Sequence, residues 1–337
     1  MNSLERVRAA LAFGQPDRVP VIAQVFGHAA TLAGVPLDRY LCDGALLARC
    51  QLAALEAYGY DAVFALLDVN VESEALGSVL RFRPDRYAQI ESYALAGGWD
   101  PDRLEVPDPQ RAGRMPEVLT AAARLRQAVG EEVLVVGCVL GPMTLCSQLL
   151  GLEAALYLAI DEPERFARLL DFATAVLIRF GTAQLEAGVH LPVVFDPAAS
   201  AELIPPQFYR EFLLPRLRRL FAAFRAAGAV AAWLHTAGQT APILPFYPQA
   251  GVDLANIDFC VDPQLAARVL PQTCLSGNLR PLAFVDDEPA EIARAAARLL
   301  DLFADRGGFI LSSGCEIPPE ARPENIAALV AAARRWT

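Results

Sequence analysis

Short, unbroken apolar runs alternate along the whole chain with longer segments in which apolar residues recur at helical spacing. Eight runs read as strands: VPVIAQV (19–25), DAVFALLDV (61–69), EVLVVGCV (132–139), LPVVFD (191–196), AVAAWLH (229–235), VDLANID (252–258), TCLSGN (273–278) and GFILSSG (308–314). None shows the strict polar alternation of a sheet with one wet face, so both faces should be buried and the strands parallel. Between them lie helical segments such as GALLARCQLAALEAYG, PEVLTAAARLRQAVG and PQFYREFLLPRLRRLFAAFRAAG, several ending in glycine as helix C-caps do. A further helix, Ser3 to Phe13, opens with Asn2 and Glu5 at capping-box spacing. Eight strand–helix units predict an α/β fold, a (β/α)8 TIM barrel, as a single domain over 1–337 with an N-terminal helical extension. An open doubly wound sheet is the alternative, but no GxGxxG follows an early strand to support it.

In such a barrel the chemistry gathers where the strands end, because loops from different strands converge there. The residues at those ends are Asp68 with Asn70 and Glu72, Gly141–Pro142, Asp196, His235, Asp258, Asn278 and Cys315. A carboxylate, imidazole and thiol cluster is therefore expected in the barrel mouth. Structural readings stand beside it: Asp68 and Asp196 also suit helix N-caps, and Gly277–Asn278 suits a turn. His190 lies at the opposite end of its strand and reads as structural, and His28 as a helix-start residue. His235 and Cys315, at the ends of the fifth and eighth strands, together suggest zinc. A catalytic zinc needs three protein ligands, so an oxygen from Glu72, Asp196, Asp258 or Glu316 would have to complete the set.

Composition narrows the function classes. Hydrophobic residues make up 54% of the chain and charged residues 20%, which excludes a disordered chain. The net charge of -10 argues against a nucleic-acid partner, which would need clustered Lys and Arg. No apolar stretch reaches the roughly 18 residues of a membrane span, and the N-terminus lacks the apolar core of a signal peptide. The seven cysteines are scattered without a CxxC pair, so reduced thiols and a cytoplasmic location are expected.

The motifs DVNVESEALG (68–77), GPMTLCSQLLG (141–151), FDPAASAELIPPQFYREFLLP (195–215), HTAGQTAPIL (235–244), LSGNLRP (275–281) and GFILSSGCEIPPEARPENI (308–326) resemble the uroporphyrinogen decarboxylase superfamily. The first and last are most similar to its methylcobamide methyltransferase branch. The resemblance implies a (β/α)8 barrel. Against true decarboxylases, the segment AQVFGHAATLAG carries no arginine to hold substrate carboxylates, Gln148 stands where they have tyrosine, and Cys315 where they have histidine. Asp68 matches their catalytic aspartate.

In the thiol-methylating branch, zinc is held by an HxC pair and a cysteine before IPP; His235 and Cys315 match, and Ala237 departs at the third position. Zinc there keeps the acceptor as a thiolate. Relatives that methylate tetrahydrofolate use a nitrogen that is already nucleophilic, and Ala237 favours that acceptor. The resemblance thus implies a corrinoid-dependent methyltransferase moving a methyl group between a cobamide and a small acceptor, tetrahydrofolate or a thiol. No DxHxxG motif occurs, so the cobamide would come on a separate corrinoid protein. Asp68, Glu72, Asp196 and His235 are the expected catalytic residues, and Asn70, Gln148, Asp258 and Asn278 the expected substrate contacts. Decarboxylation of a carboxylated tetrapyrrole is the alternative, and binding of a corrinoid or tetrapyrrole without turnover a third reading.

Overall fold

The computed structural model describes residues 1–100 and 104–336. In chain order its strands are β1 (Ala62–Ala65), β2 (Val79–Arg83), β3 (Arg86–Ser92), β4 (Leu134–Leu140), β5 (Leu191–Phe195), β6 (Trp233–His235), β7 (Leu254–Asn256), β8 (Cys274–Leu279) and β9 (Phe309–Ser313). Seven of them form one parallel sheet in the order β1-β4-β5-β6-β7-β8-β9. Each falls inside, or within one residue of, an expected run. The fold is α/β with a curled parallel sheet.

Side chains alternate across this sheet although both faces are apolar. Phe64, Val136, Val193, Trp233 and Ile310 point to the concave side, where they form an inner core with Leu4 and Val7 of the helix Ser3–Leu11. Val63, Val135, Val194 and Leu234 face outward and pack under the surrounding helices, including Gly44–Tyr58 and Pro163–Glu186. The N-terminal helix therefore plugs one end of the inner core. Its capping box is made as expected, with Asn2 Oδ1 accepting from Glu5 N and Glu5 Oε2 accepting from Asn2 N.

The expected first strand, 19–25, is corrected: it is not a regular strand. It touches β9 through isolated bridges, Val21 with Leu311 and Val25 with Ile317 after it. Ile22 N donates to Leu311 O at 3.0 Å, and Asp61 N, just before β1, donates to Val21 O at 2.8 Å. Pro20 has no N–H to give to a ladder, and the Val21 N–H goes to the Asp61 carboxylate at 2.7 Å rather than to backbone. Helix 206–226 is also interrupted, by a wider turn over Tyr209–Leu213 just before Leu214–Ala226. Pro215 lacks the N–H that would bond one turn back, which explains the break.

The hairpin β2–β3 was not foreseen. Its strands pair antiparallel across Pro84–Asp85, and it is pinned by Asn70 Nδ2 donating to Ala88 O at 3.0 Å and by Leu37 N donating to Pro84 O at 2.9 Å. No single helix among the described residues is long and apolar enough to cross a membrane.

Candidate functional site

A pocket of about 230 Å³ opens where β1, β5, β6 and β9 end, lined by Asp68, Asn70, His235, Ala237, Cys315 and Glu316 among others. Phe26, Leu66, Val69, Phe195 and Pro197 supply apolar walls, and the hairpin contributes Tyr87 and Ala88. A cavity of roughly 150 Å³ holds benzene, so this pocket has room for a small ring. None of its lining residues is Arg or Lys.

The strand ends deliver the expected residues to different places. Asp68 lines the pocket, but its carboxylate is committed: Oδ2 accepts from Arg114 Nη1 at 2.6 Å, and Oδ1 from Arg114 Nη2 at 3.1 Å and from Asn70 N at 2.8 Å. Arg114 also bonds Glu74 at 2.6 Å and Leu41 O at 2.8 Å, and lies over the Phe82 ring of β2. This buried ion pair ties the end of β1 to the hairpin.

Glu72 and Asp196 are fully buried and are not among the pocket-lining residues. Glu72 Oε1 accepts from Leu140 N at 2.8 Å, and burial pushes its carboxyl up to about 7. Asp196 Oδ1 accepts from Thr144 N at 2.8 Å and from Thr144 Oγ1 at 2.7 Å, capping the helix Pro142–Leu150 from the end of the neighbouring strand; burial raises it to about 6. A Cβ on Gly141 would overlap the Asp196 carboxylate. Gly141→Ala should therefore cost about 1–3 kcal/mol of stability, read by denaturant unfolding.

Glu72 has a second consequence. Its folded value lies above the ordinary carboxylate value, so between about pH 4.5 and 7 the folded chain binds more protons than the unfolded one. Stability from this group is complete below that window and falls as pH rises through it, by up to about 3 kcal/mol. Glu72→Gln keeps the acceptor and removes the charge, and should flatten the slope when unfolding is compared at pH 5 and pH 8.

The remaining expected contacts hold loops. Gln148 Nε2 donates to Val69 O at 2.8 Å. Asp258 accepts from Gly238 N and Phe259 N, and burial raises its carboxyl. Asn278 Nδ2 donates to Asp258 O at 3.1 Å and to Val261 O at 2.9 Å, and its side chain borders a separate surface groove with Arg280 and Arg298. His190 Nδ1 accepts from Val135 N at 2.9 Å, and His28 Nε2 lies 2.8 Å from Tyr58 Oη, which fits the structural readings of both.

His235 and Cys315 share the pocket as expected. Burial alone depresses the His235 imidazole to about 3, so the ring is neutral, and burial lifts the Cys315 thiol to about 11. Zinc does not fit: among the described residues no three His, Cys, Asp or Glu side chains gather as a ligand set. Glu316, a candidate third ligand, is half-buried, desolvation raises its carboxyl to about 7, and its Oε1 accepts from Tyr87 Oη and Gly27 N.

Tyr87, Phe26, Phe195 and Arg114 escaped the sequence reading. A signal for Tyr87 existed: VLRFRPDRYAQI alternates in polarity around a Pro–Asp turn, as hairpins do.

The uroporphyrinogen decarboxylase (URO-D) family model matches residues 2–336. Methylcobamide:CoM methyltransferase MtaA of Methanosarcina barkeri is 28% identical over 97% of this chain and 96% of its own length. The uroporphyrinogen decarboxylase of Syntrophotalea carbinolica is 30% identical over 87% of this chain and 84% of its own. A solved methyltransferase from Methanosarcina mazei superposes with a TM-score of 0.90 at 28% identity, covering 99% of both chains. With sheet, pocket and similarity agreeing along nearly its whole length, this chain belongs to the uroporphyrinogen decarboxylase family.

Proposed function

We propose that the protein is a corrinoid-dependent methyltransferase whose acceptor is the uncharged nitrogen of a tetrahydrofolate and not a zinc-bound thiolate. The observation that carries this reading is the make-up of the pocket, in which His235 and Cys315 face a site where the third position is Ala237 and no lining residue is basic. A thiol held by burial near its protonated form is a poor nucleophile without a metal. A nitrogen lone pair needs no such activation. The likeness to a methylcobamide methyltransferase over 97% of the chain supports the donor.

When bound, the cobamide supplies the transferable methyl group. The pocket mouth, lined by Val69, Pro197 and Ala237, is where a cobamide carried on a separate corrinoid protein would meet the acceptor. Phe26, Phe195 and Leu66 keep water from the acceptor, and Asn70 with the Tyr87–Glu316 pair offers a hydrogen-bonding edge to the pterin. Asp68 positions the β1 end through Arg114, while Glu72 and Asp196 shape the neighbouring loops. We also infer that segment 19–25 completes the sheet as the eighth stave of a (β/α)8 barrel, supported by its bonds to Leu311 on one side and Asp61 on the other.

Decarboxylation of a tetrapyrrole has less support, because its carboxylates would meet Asp68 and Glu316 and no cation in this pocket. Absorbance separates the two. Methylcobalamin with tetrahydrofolate should yield cob(I)alamin on addition of the protein. If no acceptor demethylates methylcobalamin while a carboxylated tetrapyrrole releases carbon dioxide, the reading fails.

A further inference from the structure

Two backbone carbonyls beneath the pocket decide which nitrogen of His235 carries its proton. Gln24 Nε2 donates to Ser313 O at 3.0 Å and to Asn256 Oδ1 at 3.1 Å, and Asn256 Nδ2 donates to Gly314 O at 2.6 Å. Carbonyl oxygens only accept, so both side-chain amides have a single permitted orientation. The second hydrogen of Asn256 Nδ2 then faces His235 Nε2, 3.4 Å away. That nitrogen must hold the lone pair, which puts the proton of the neutral ring on Nδ1. Nδ1 is buried without a hydrogen-bond partner, on a ring that is 1% exposed and lines the pocket. Gln24 Oε1 and the hydroxyls of Ser276 and Ser313 are likewise buried and unpaired. A donor left unsatisfied in a native site calls for a ligand that accepts.

We propose that His235 is a hydrogen-bond donor to an uncharged ligand, its Nδ1–H reading a carbonyl oxygen or an unprotonated ring nitrogen, with Asn256 and Gln24 as the positioning residues that hold this tautomer. The pocket's charge agrees. Arg114, which bonds the lining residue Asp68, is not itself in the pocket lining and has its charge paired with Asp68 and Glu74, so an anionic head group would find carboxylates and no free cation. Phe26 and Phe195, whose rings meet edge to face with centroids 6.1 Å apart, add apolar surface to the pocket wall. The ligand class is an uncharged, carbonyl-bearing nitrogen heterocycle. This deepens the acceptor role proposed above and rests on it for the identity of the ligand, but not for the tautomer.

The test is long-range ¹⁵N–¹H correlation on the full chain labelled at its three histidines. His190, which lies outside the pocket, supplies an internal reference for the intact fold. His235 should show Nδ1–H, and 6-methyltetrahydropterin should shift that signal, whereas mercaptoethanesulfonate at equal concentration should not. Asn256→Asp should move the proton to Nε2 and weaken pterin binding roughly tenfold, with the His190 signals unchanged. If that variant does not fold, the wild-type tautomer and the two titrations decide. An Nε2–H tautomer in the wild type, no response to the pterin, or tighter binding of mercaptoethanesulfonate overturns the proposal. Pterin binding at Nδ1–H without methyl transfer would instead count against the function and leave the His235 assignment standing.

Discussion

Arg114→Ala should lower the free energy of unfolding by about 3–5 kcal/mol, the range for removing one partner of a buried ion pair. The size follows from what the guanidinium leaves behind. Asp68 is 5% exposed and Arg114 7%, so the orphaned carboxylate cannot recover its hydration. Leu41 O loses its donor as well, and Phe82 loses the cation 4.8 Å from its ring centre, which frees the hairpin. Arg280→Ala is the control: its pair with Asp286 is solvent-exposed on both sides, and its loss should cost less than about 1 kcal/mol. Equal effects in urea unfolding would show that the Asp68–Arg114 pair does not anchor the site.

Ala237→Cys should give a variant that binds zinc stoichiometrically. Position 237 lines the same pocket as His235 and Cys315, so the new thiol would complete three ligands and leave a fourth position open. The His235 ring opposes this. Presenting Nδ1 to a metal requires its proton to move to Nε2, which sets Nε2–H against Asn256 Nδ2–H and leaves each a buried donor without a partner, at about 1–3 kcal/mol apiece. Structural zinc sites gain about 10–16 kcal/mol, which exceeds that cost. Metal analysis after dialysis against zinc should find under about 0.1 zinc per chain in the wild type and about one in the variant. A wild-type chain that retains one zinc would contradict this.

Much of the fold was legible because short apolar runs set between helical segments read as strands buried on both faces. The polar residues at their ends were legible for the same reason, as they interrupt those runs. Their roles were not, because the deciding partners lie far away in sequence. An aspartate that ends a strand reads the same whether it meets substrate or an arginine; Arg114 stands 46 positions from Asp68, and Thr144 stands 52 from Asp196. Asp196 read as a cap for the helix that follows it, but it makes no cap bond there and instead caps Pro142–Leu150, which precedes it. Segment 19–25 misled because apolar composition cannot register that Pro20 lacks a donor and that Asp61 takes the Val21 N–H. Asn256 and Gln24 were overlooked since single amides inside apolar runs carry no spacing signal. Ala237 was the informative departure, and the pocket gives it a physical meaning: an imidazole and a thiol share the pocket with an apolar third position.

The most direct test of metal-free transfer to an uncharged acceptor is the rate at which cob(I)alamin appears, measured anaerobically by absorbance with methylcobalamin, tetrahydrofolate and protein stripped with a chelator. Turnover should survive stripping unchanged and should not rise when zinc is restored. Activity that vanishes on stripping and returns only with zinc, or that appears only with mercaptoethanesulfonate, would contradict it.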